Sequence, residues 1–503
     1  MMQTTKFKPL FNLAAVNKEF IRTVAVASAA VKPTDTNLKS WKEIPGPSSL
    51  PIIGQMHHFL PGGALQGIEG PEGTMKIFAM YGPIVRFDAM FGKPAMILLQ
   101  DAEACAQVLR SENWLPVRPG FMSLEYYRKE HKKNKTRVTG LITDHGDLWK
   151  EFRSTVNPIM LQPKTIKLYT KVLDEVAQDM ILRMKENRDE KNMICNDFDK
   201  EMNLWALESI GTVALGCRLN CFDPNLPADS PEWELIQCVH DLFVTGNELD
   251  FKPSLWRYFA TPMFKQAMKM YERHENLTKH FIEKGKEQLK NKSDSEKGVL
   301  GKLLEINEEV AHIMASDMLF AGVDTAANTV TATLYLLAKH PDKQAKLREE
   351  IMSKSEKRPY LRACIKESIR IMPVVSGNMR MATKEYNIMG YRIPKDMHVV
   401  FAHRDMSLLD EHYPRPREYI PERWLASKDD PLYYGNAHPF AHAPFGFGAR
   451  SCIGRRIAEL EMDTFVARLI ENFQVEWFGP PPTVQQAALN YIKGPYNFIF
   501  KDV

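Results

Sequence analysis

Phe445-Gly-Phe-Gly-Ala-Arg-Ser-Cys-Ile-Gly454 places one cysteine in a glycine-rich turn that runs directly into an apolar helical pattern from Ile453 to Leu469. Glycines at 446, 448 and 454 let the backbone turn tightly and pass close to a flat ligand. Cys452 at a helix N-terminus, with Arg450 two residues away, is a thiol inclined to ionise. A thiolate held on a rigid loop against an apolar face suits the proximal side of a haem iron, where an anionic sulfur pushes electron density toward O–O cleavage. The rest of the chain is read outward from this loop.

The chain has 503 residues, 44% of them hydrophobic and 25% charged, which is ample for one large core enclosing a bulky cofactor. The net charge of +4 gives nucleic-acid binding no compositional support. Seven cysteines (Cys105, Cys195, Cys217, Cys221, Cys238, Cys364 and Cys452) are scattered and odd in number, so a disulfide scaffold is excluded and a reducing compartment is expected. Cys217 and Cys221 fall on an apolar, helix-compatible stretch and read as core, not as a metal pair.

Upstream of the turn, a helix-compatible run from Ala311 to Ala338 is apolar on most faces and is stopped by Pro341. Within it Ala321-Gly-Val-Asp-Thr-Ala326 sets a glycine, a carboxylate and a hydroxyl in a buried segment. Gly322 would let a ligand approach the backbone, and Thr325 can bond back to the carbonyl of Ala321, loosening the local ladder. Asp324 beside Thr325 can order water and relay protons. Further on, Glu367 and Arg370 stand at i,i+3 on a predicted helix over Tyr360–Ile371, and Arg423 of Pro421-Glu-Arg-Trp424 can join them in a two-guanidinium clamp that braces the cysteine loop. Trp149 and Arg153 lie four residues apart on a helix face, placed to grip an anion from two directions, and Arg380 among apolar neighbours is a further anion partner.

The remaining segments support these. Residues 1–33 carry Lys6, Lys8, Lys18, Arg22 and Lys32 against Glu19 alone, with no apolar run long enough for a secretory signal or an anchor. Residues 1–43 are therefore read as a mitochondrial presequence or disordered tail, and 44–503 as a single domain entered through Pro45, Pro47 and Pro51. Short strands are predicted around Tyr81–Phe87 and Ala95–Leu99, followed by a helix from Ala102 to Leu109. A long loop is predicted over 116–140 and a succession of helices over 166–289. Phe251, Leu255, Trp256, Tyr258 and Phe259 form an apolar connection within Phe243–Pro262 that suits core, a membrane-dipping surface or a cavity lid.

Together the motifs resemble the cytochrome P450 family of haem-thiolate monooxygenases. The cysteine loop matches that family's Phe-x-x-Gly-x-Arg-x-Cys-x-Gly signature at each fixed position, and Ala321-Gly-x-Asp-Thr325, Glu367-x-x-Arg370 and Pro421-Glu-Arg423 follow in the family's order. The resemblance, which runs from about Pro45 to the carboxyl end, implies a mainly α fold with a small β portion (α+β), a long central helix over haem b and the cysteine loop beneath it. It implies Cys452 as the iron ligand, Asp324 and Thr325 as the pair serving the co-substrate dioxygen, and Trp149, Arg153, Arg380 and Arg450, with Phe445, as the haem-binding residues.

A sharper likeness is to the mitochondrial branch of animals, in an arthropod-like style. Arg455-Arg-Ile-Ala-Glu-Leu-Glu-Met462 and Tyr360-Leu-Arg-Ala-Cys-Ile-Lys-Glu-Ser-Ile-Arg370 resemble that branch, which implies that Arg362, Lys366, Arg455 and Arg456 receive an acidic [2Fe–2S] ferredoxin. The same likeness implies peripheral contact with the inner mitochondrial membrane on its matrix side, and an apolar substrate that is steroid-like, another endogenous lipid or a xenobiotic. A haem-thiolate isomerase or dehydratase and a non-catalytic haem or lipid carrier are the alternatives, and the Asp324–Thr325 pair speaks against the first. One departure from the family pattern is the short connection between Ile351 and Tyr360, which implies an altered ferredoxin surface or a form that folds poorly.

Overall fold

The computed structural model describes residues 38–503 apart from 51–52, 69, 90–92, 113, 134–137, 195–197, 228, 253, 291–292, 295 and 487–488. The presequence expected over residues 1–43 lies almost wholly outside the described residues, as do Cys195 and Pro253. Eleven helices of nine or more residues are present among the described residues: α1 (Pro71–Tyr81), α2 (Ala102–Arg110), α3 (Gly146–Met160), α4 (Thr170–Asn187), α5 (Phe198–Ala214), α6 (Pro231–Gly246), α7 (Pro262–Leu289), α8 (Glu308–Lys339), α9 (Pro341–Met352), α10 (Pro359–Ile371) and α11 (Arg455–Asn472).

The organising helix is α8, and its sequence accounts for its limits. Asn307 caps the first turn by accepting from the backbone N–H groups of Glu309 and Val310, Glu308 and Glu309 favour the positive end of the dipole, and Pro341 begins the next helix. Between those ends the helix is buried along most of its length, because it is apolar on nearly every face. It packs on α5 through Gly322, where an added Cβ would stand 2.7 Å from Cγ1 of Ile210. Gly322 therefore serves helix packing, not the ligand approach expected for it, since its missing side chain lets two helices close together. Nor is the ladder broken at the acid–alcohol pair: α8 is one continuous α-helix from Glu308 to Lys339.

Eleven strands make four small sheets among the described residues: β1 (Lys39–Ser40), β2 (Ile84–Phe87), β3 (Met96–Leu99), β4 (Asn378–Met381), β5 (Tyr386–Ile388), β6 (Tyr391–Ile393), β7 (His398–Phe401), β8 (Phe473–Trp477), β9 (Thr483–Gln486), β10 (Asn490–Lys493) and β11 (Phe498–Asp502). The four-stranded sheet runs β2-β3-β7-β4, with β3 and β7 parallel and the outer pairs antiparallel. Its Ile97, Leu99, Val399 and Phe401 pack with Cys105 and Val108 of α2 into a core separate from the helical one. The hairpin β9–β10 is laid against α8: the N–H of Ile492 reaches Oδ1 of Asn328 at 3.3 Å, and that of Asn490 reaches the carbonyl of Val374 at 2.8 Å.

Three expectations need correction. The segment 116–140 is not all loop, since Met122–Tyr126 is a helical turn continued by a π-turn over Tyr127–His131, held where Arg128 pairs with Asp317 of α8 at 2.7 Å. Cys217 and Cys221 lie beyond the end of α5 and not within it, although both are buried core as expected. The apolar connection divides: Trp256 is buried and donates to the carbonyl of Leu249 at 3.0 Å, whereas Leu255, Tyr258 and Phe259 are exposed. The helix before it also passes through Gly246 without a break, continuing as a π-turn over Asn247–Phe251.

The short link after α9 closes cleanly. Glu350 accepts the N–H groups of Tyr360 and Leu361 at 2.8 and 2.9 Å, so one carboxylate satisfies two of the orphan donors at the start of α10.

Candidate active site

The cysteine loop is built by two left-handed glycines and one long-range backbone bond. Gly446 (φ 73°) and Gly448 (φ 68°) occupy the region that an L side chain resists, and the N–H of Cys452 returns to the carbonyl of Phe445 at 2.8 Å. Gly454, the third glycine, has an ordinary φ of −80° and caps α11. The backbone N–H groups of Gly454 and Arg455, at the start of α11, favour the ionised form of the sulfur, the helix-terminus setting expected from sequence.

Cys452 lies deep in the fold and still has free side-chain surface, the combination of a group lining an internal recess; its depth governs its titration. Burial raises its thiol, opposed by the Gly454 N–H, Arg118, Arg153 and the Arg455 N–H. The cations that favour its ionised form are thus Arg118 and Arg153, and not Arg450. Arg450 turns away from the sulfur, donating to the carbonyls of Pro116 (3.1 Å), Leu141 (3.1 Å) and Asp144 (2.7 Å) while its guanidinium lies over the Trp149 ring. It braces the loop.

Four guanidiniums nevertheless gather here. Burial, then Arg118, Arg380 and Arg153, push Arg450 down to about 8, and Arg153 is pushed down to about 10 by burial and Arg118 despite the pull of Cys452. Arginine keeps its proton, so such crowding is relieved by bringing in anions. Within the protein Arg380 has Glu112 at 2.7 Å, whose own carboxyl burial raises, and Arg153 gives Nη2 to the carbonyl of Ser451 at 3.0 Å while its buried Nε has no partner. Trp149 is buried, with the Arg450 guanidinium over its ring. Arg118 was not expected from sequence, because it sits in a stretch without periodicity; a cation beside Pro119-Gly120 was the only signal.

On α8, Ala321 is exposed and Thr325 partly so in an otherwise buried run. Thr325 Oγ1 donates to the carbonyl of Ala321 at 2.7 Å, as its spacing suggested. Asp324 is buried, with the Tyr491 hydroxyl at 3.5 Å from Oδ2. Burial raises its carboxyl to about 7 against the opposing Tyr491, Lys493 and Asn203 contacts.

The carboxylate clamp is complete. Glu367, Arg370 and Arg423 are each 0% exposed; Glu367 accepts from Arg370 Nε (3.0 Å) and Nη2 (2.7 Å), Arg423 Nε (2.9 Å), Trp424 Nε1 (2.9 Å) and the N–H of Ile420 (3.2 Å). On the same helix α10, Arg362 and Lys366 are exposed one turn apart, the former paired with Asp463 at 3.0 Å and the latter over the Trp424 ring. Arg455 and Arg456 are exposed at the start of α11, with Arg455 paired to Glu459 at 2.8 Å.

A thiol with free surface at a helix N-terminus and a surplus of buried guanidiniums fit an iron porphyrin with two carboxylates. The Cytochrome P450 family profile matches residues 44–500. The chain belongs to the cytochrome P450 family. It is a monooxygenase whose cofactor is haem b and whose co-substrate is dioxygen. Cytochrome P450 CYP12A2 of Musca domestica is 37% identical over 92% of this chain and 92% of its own length. "Probable cytochrome P450 12a5, mitochondrial" of Drosophila melanogaster is 34% identical over 99% of this chain and 97% of its own. The structure of retinoic acid bound cyanobacterial CYP120A1 superposes with a TM-score of 0.72, covering 93% of this chain and 100% of that one at 20% identity, which establishes the shared α+β fold.

Proposed function

We propose that this P450 inserts one oxygen atom of dioxygen into an apolar, steroid-like or xenobiotic substrate in the mitochondrion, with electrons passing from NADPH through ferredoxin reductase and a [2Fe–2S] ferredoxin. The observation that carries the reading is Cys452, held by its N–H on the carbonyl of Phe445 at the start of α11, with the Gly454 and Arg455 N–H groups and the Arg118 and Arg153 guanidiniums all favouring its ionised sulfur. Haem iron, when bound, supplies the activation of dioxygen. Cys452 would hold that iron as thiolate, and Arg118, Arg153 and Arg380 would hold the propionates, with Arg450 and Trp149 bracing the loop behind them. Asp324, whose carboxyl is raised to about 7 by burial, would hold a proton and Thr325 would present its hydroxyl from the neighbouring position of α8, the pair serving proton delivery. The Glu367–Arg370–Arg423 clamp keeps the meander that delivers the loop in place.

Several features support the finer parts of this reading. Arg362 and Lys366 with Arg455 and Arg456 form the basic face for an acidic ferredoxin, which makes association salt-sensitive. Residues 1–43 act as a targeting segment for the single domain over 44–503, and several relatives are named mitochondrial. No helix among the described residues is long and apolar enough to cross a membrane. Exposed Leu255, Tyr258 and Phe259 provide a shallow apolar contact with the matrix face of the inner membrane. The ferrous–carbonyl difference spectrum tests the ligand: a red-shifted Soret band is expected, and a histidine-like band overturns Cys452.

A further inference from the structure

A cavity of about 580 Å³ opens between the turns over 122–131, α7 and the first half of α8, a size usual for a small-molecule pocket. Glu309, His312, Ile313, Ser316 and Phe320 line it at three- and four-residue spacing, which is one side of α8. Ala321 follows Phe320 and so stands about 100° round the helix, with Thr325 one turn beyond Ala321. The cavity thus lies on a different side of α8 from the candidate active site, and none of the residues assigned to that site lines it. Leu124, Val138, Leu242, Ile313 and Phe320 make its apolar wall, the Phe320 ring being stacked on Phe243 at 4.4 Å and edge-on to Phe121 at 5.0 Å.

Most polar groups of the wall are already committed. Arg128 is paired with Asp317 at 2.7 Å, and Lys132 and Lys279 both reach Glu275, at 2.6 and 2.8 Å, so none of these three cations stands unpaired for an anion. Tyr127 donates to Glu275 at 3.1 Å, Thr278 to the carbonyl of His274 at 2.8 Å and Thr139 to Asp144. The Ser123 hydroxyl donates to Asp250 at 2.6 Å, so in its 2.8 Å contact with Tyr271 the tyrosine is the donor.

His274 differs. It is buried, and its Nε2 has no hydrogen-bond partner. Nδ1 of the same ring meets Ser316 Oγ at 3.3 Å, and Arg128 Nη2 donates to that oxygen at 3.2 Å. Among the described residues the Ser316 proton has only Nδ1 to go to, which makes Nδ1 the acceptor and puts the ring's own proton on Nε2. Burial, then Arg128, push the imidazole down to about 3, so it stays neutral. What remains is an unspent N–H donor on a residue lining an apolar cavity, and a buried donor left unpaired is costly.

We infer that this cavity is a second small-molecule site, separate from the haem recess, which takes a neutral apolar molecule carrying an acceptor oxygen, a ketone or an ether, on His274 Nε2. The apolar wall supplies the affinity and the imidazole N–H selects the oxygen. The bond is non-covalent and no electron or proton is transferred.

The test is calorimetric titration of the ferric holoenzyme with 4-phenylimidazole on its iron, which keeps the haem recess filled. The probes are acetophenone and cumene, the latter having a methyl group where the former has its ketone oxygen. One equivalent of acetophenone is expected to bind. His274→Phe keeps a ring and removes the donor, so acetophenone is expected to bind about tenfold more weakly while cumene changes little. Val138→Trp, at a partly buried wall position, is expected to weaken both probes. Absence of binding with the iron blocked overturns the inference, as do equal losses of the two probes in His274→Phe or unchanged binding in Val138→Trp. Should His274→Phe lose haem or secondary structure, isotope-edited infrared of carbonyl-labelled acetophenone on the wild type decides. A carbonyl stretch lowered as in hydrogen-bonding solvents supports the site, and one at its alkane value overturns it.

Discussion

The guanidinium of Arg450 lies 3.9 Å from the centroid of the Trp149 indole while it bonds three backbone carbonyls and the His145 ring. The arginine two residues before the cysteine is thus a brace that ties the loop to α3 and to the segment ahead of it. A planar fork can bond three carbonyls and stack at once, and an ammonium cannot. Arg450→Lys is therefore expected to destabilise the holoenzyme by about 2–4 kcal/mol and to release haem faster. Thermal unfolding together with haem transfer to a scavenging globin measures both, and wild-type behaviour in both would remove the brace.

Glu367 is the most heavily committed carboxylate in the protein's described residues, with two guanidiniums, an indole and a backbone N–H upon it. Glu367→Gln leaves two buried cations without their counter-charge. A loss of about 3–5 kcal/mol is expected, enough to prevent recovery of loaded enzyme. Expression at low temperature followed by measurement of the Soret-to-protein absorbance ratio checks it; a normal ratio would show that the clamp is not needed.

Much of this was legible in the chain because it is written in short-range spacing. The cysteine loop, the i,i+3 pair Glu367–Arg370 and the back-bond from Thr325 to Ala321 depend on neighbours within a helical turn or two. What escaped depends on partners far away. Gly322 looked like a place for a ligand until Ile210 of α5 was seen against it, and Arg450 looked like the sulfur's cation until carbonyls more than three hundred residues earlier claimed it. Arg118 and Tyr491 lie in segments whose local pattern carries no sign of the site, and only the fold brings one to Cys452 and the other to Asp324.

Thr325→Ala removes the hydroxyl of the proposed acid–alcohol pair and leaves a methyl in its place. Positioned acid–base groups contribute about 10²–10⁴-fold. Product formation is expected to fall by about 10² with electron consumption largely kept, the balance appearing as hydrogen peroxide. Parallel assays of NADPH, peroxide and product decide it, and unchanged coupling would exclude Thr325 from the relay.

Reversing charge at Arg362 and Lys366 tests the donor face without touching the haem side, because both side chains are exposed on α10. Arg362→Glu/Lys366→Glu is expected to weaken ferredoxin binding by about tenfold or more at low salt, and raised salt is expected to shrink the difference. Surface plasmon resonance at several salt concentrations reads the effect. Loss of haem in the double variant, or binding that is unaffected, would reassign these residues to structure.

Glu461 of α11 is buried, and its Oε1 has no hydrogen-bond partner. Burial alone raises its carboxyl to about 8. A carboxyl raised in the folded state binds more protons folded than unfolded, so its contribution is complete below the ordinary glutamate range and is lost as pH rises toward 8. While Glu461 titrates, it subtracts up to roughly 1.4 kcal/mol of stability per pH unit. Glu461→Gln keeps the shape and removes the charge. The variant is expected to match the wild type near pH 5, to outlast it at pH 8, and to show a shallower decline between them. Denaturant unfolding of the holoenzyme at four pH values measures the difference. Parallel curves for the two proteins would mean that Glu461 is ionised in the fold and has found a counter-charge.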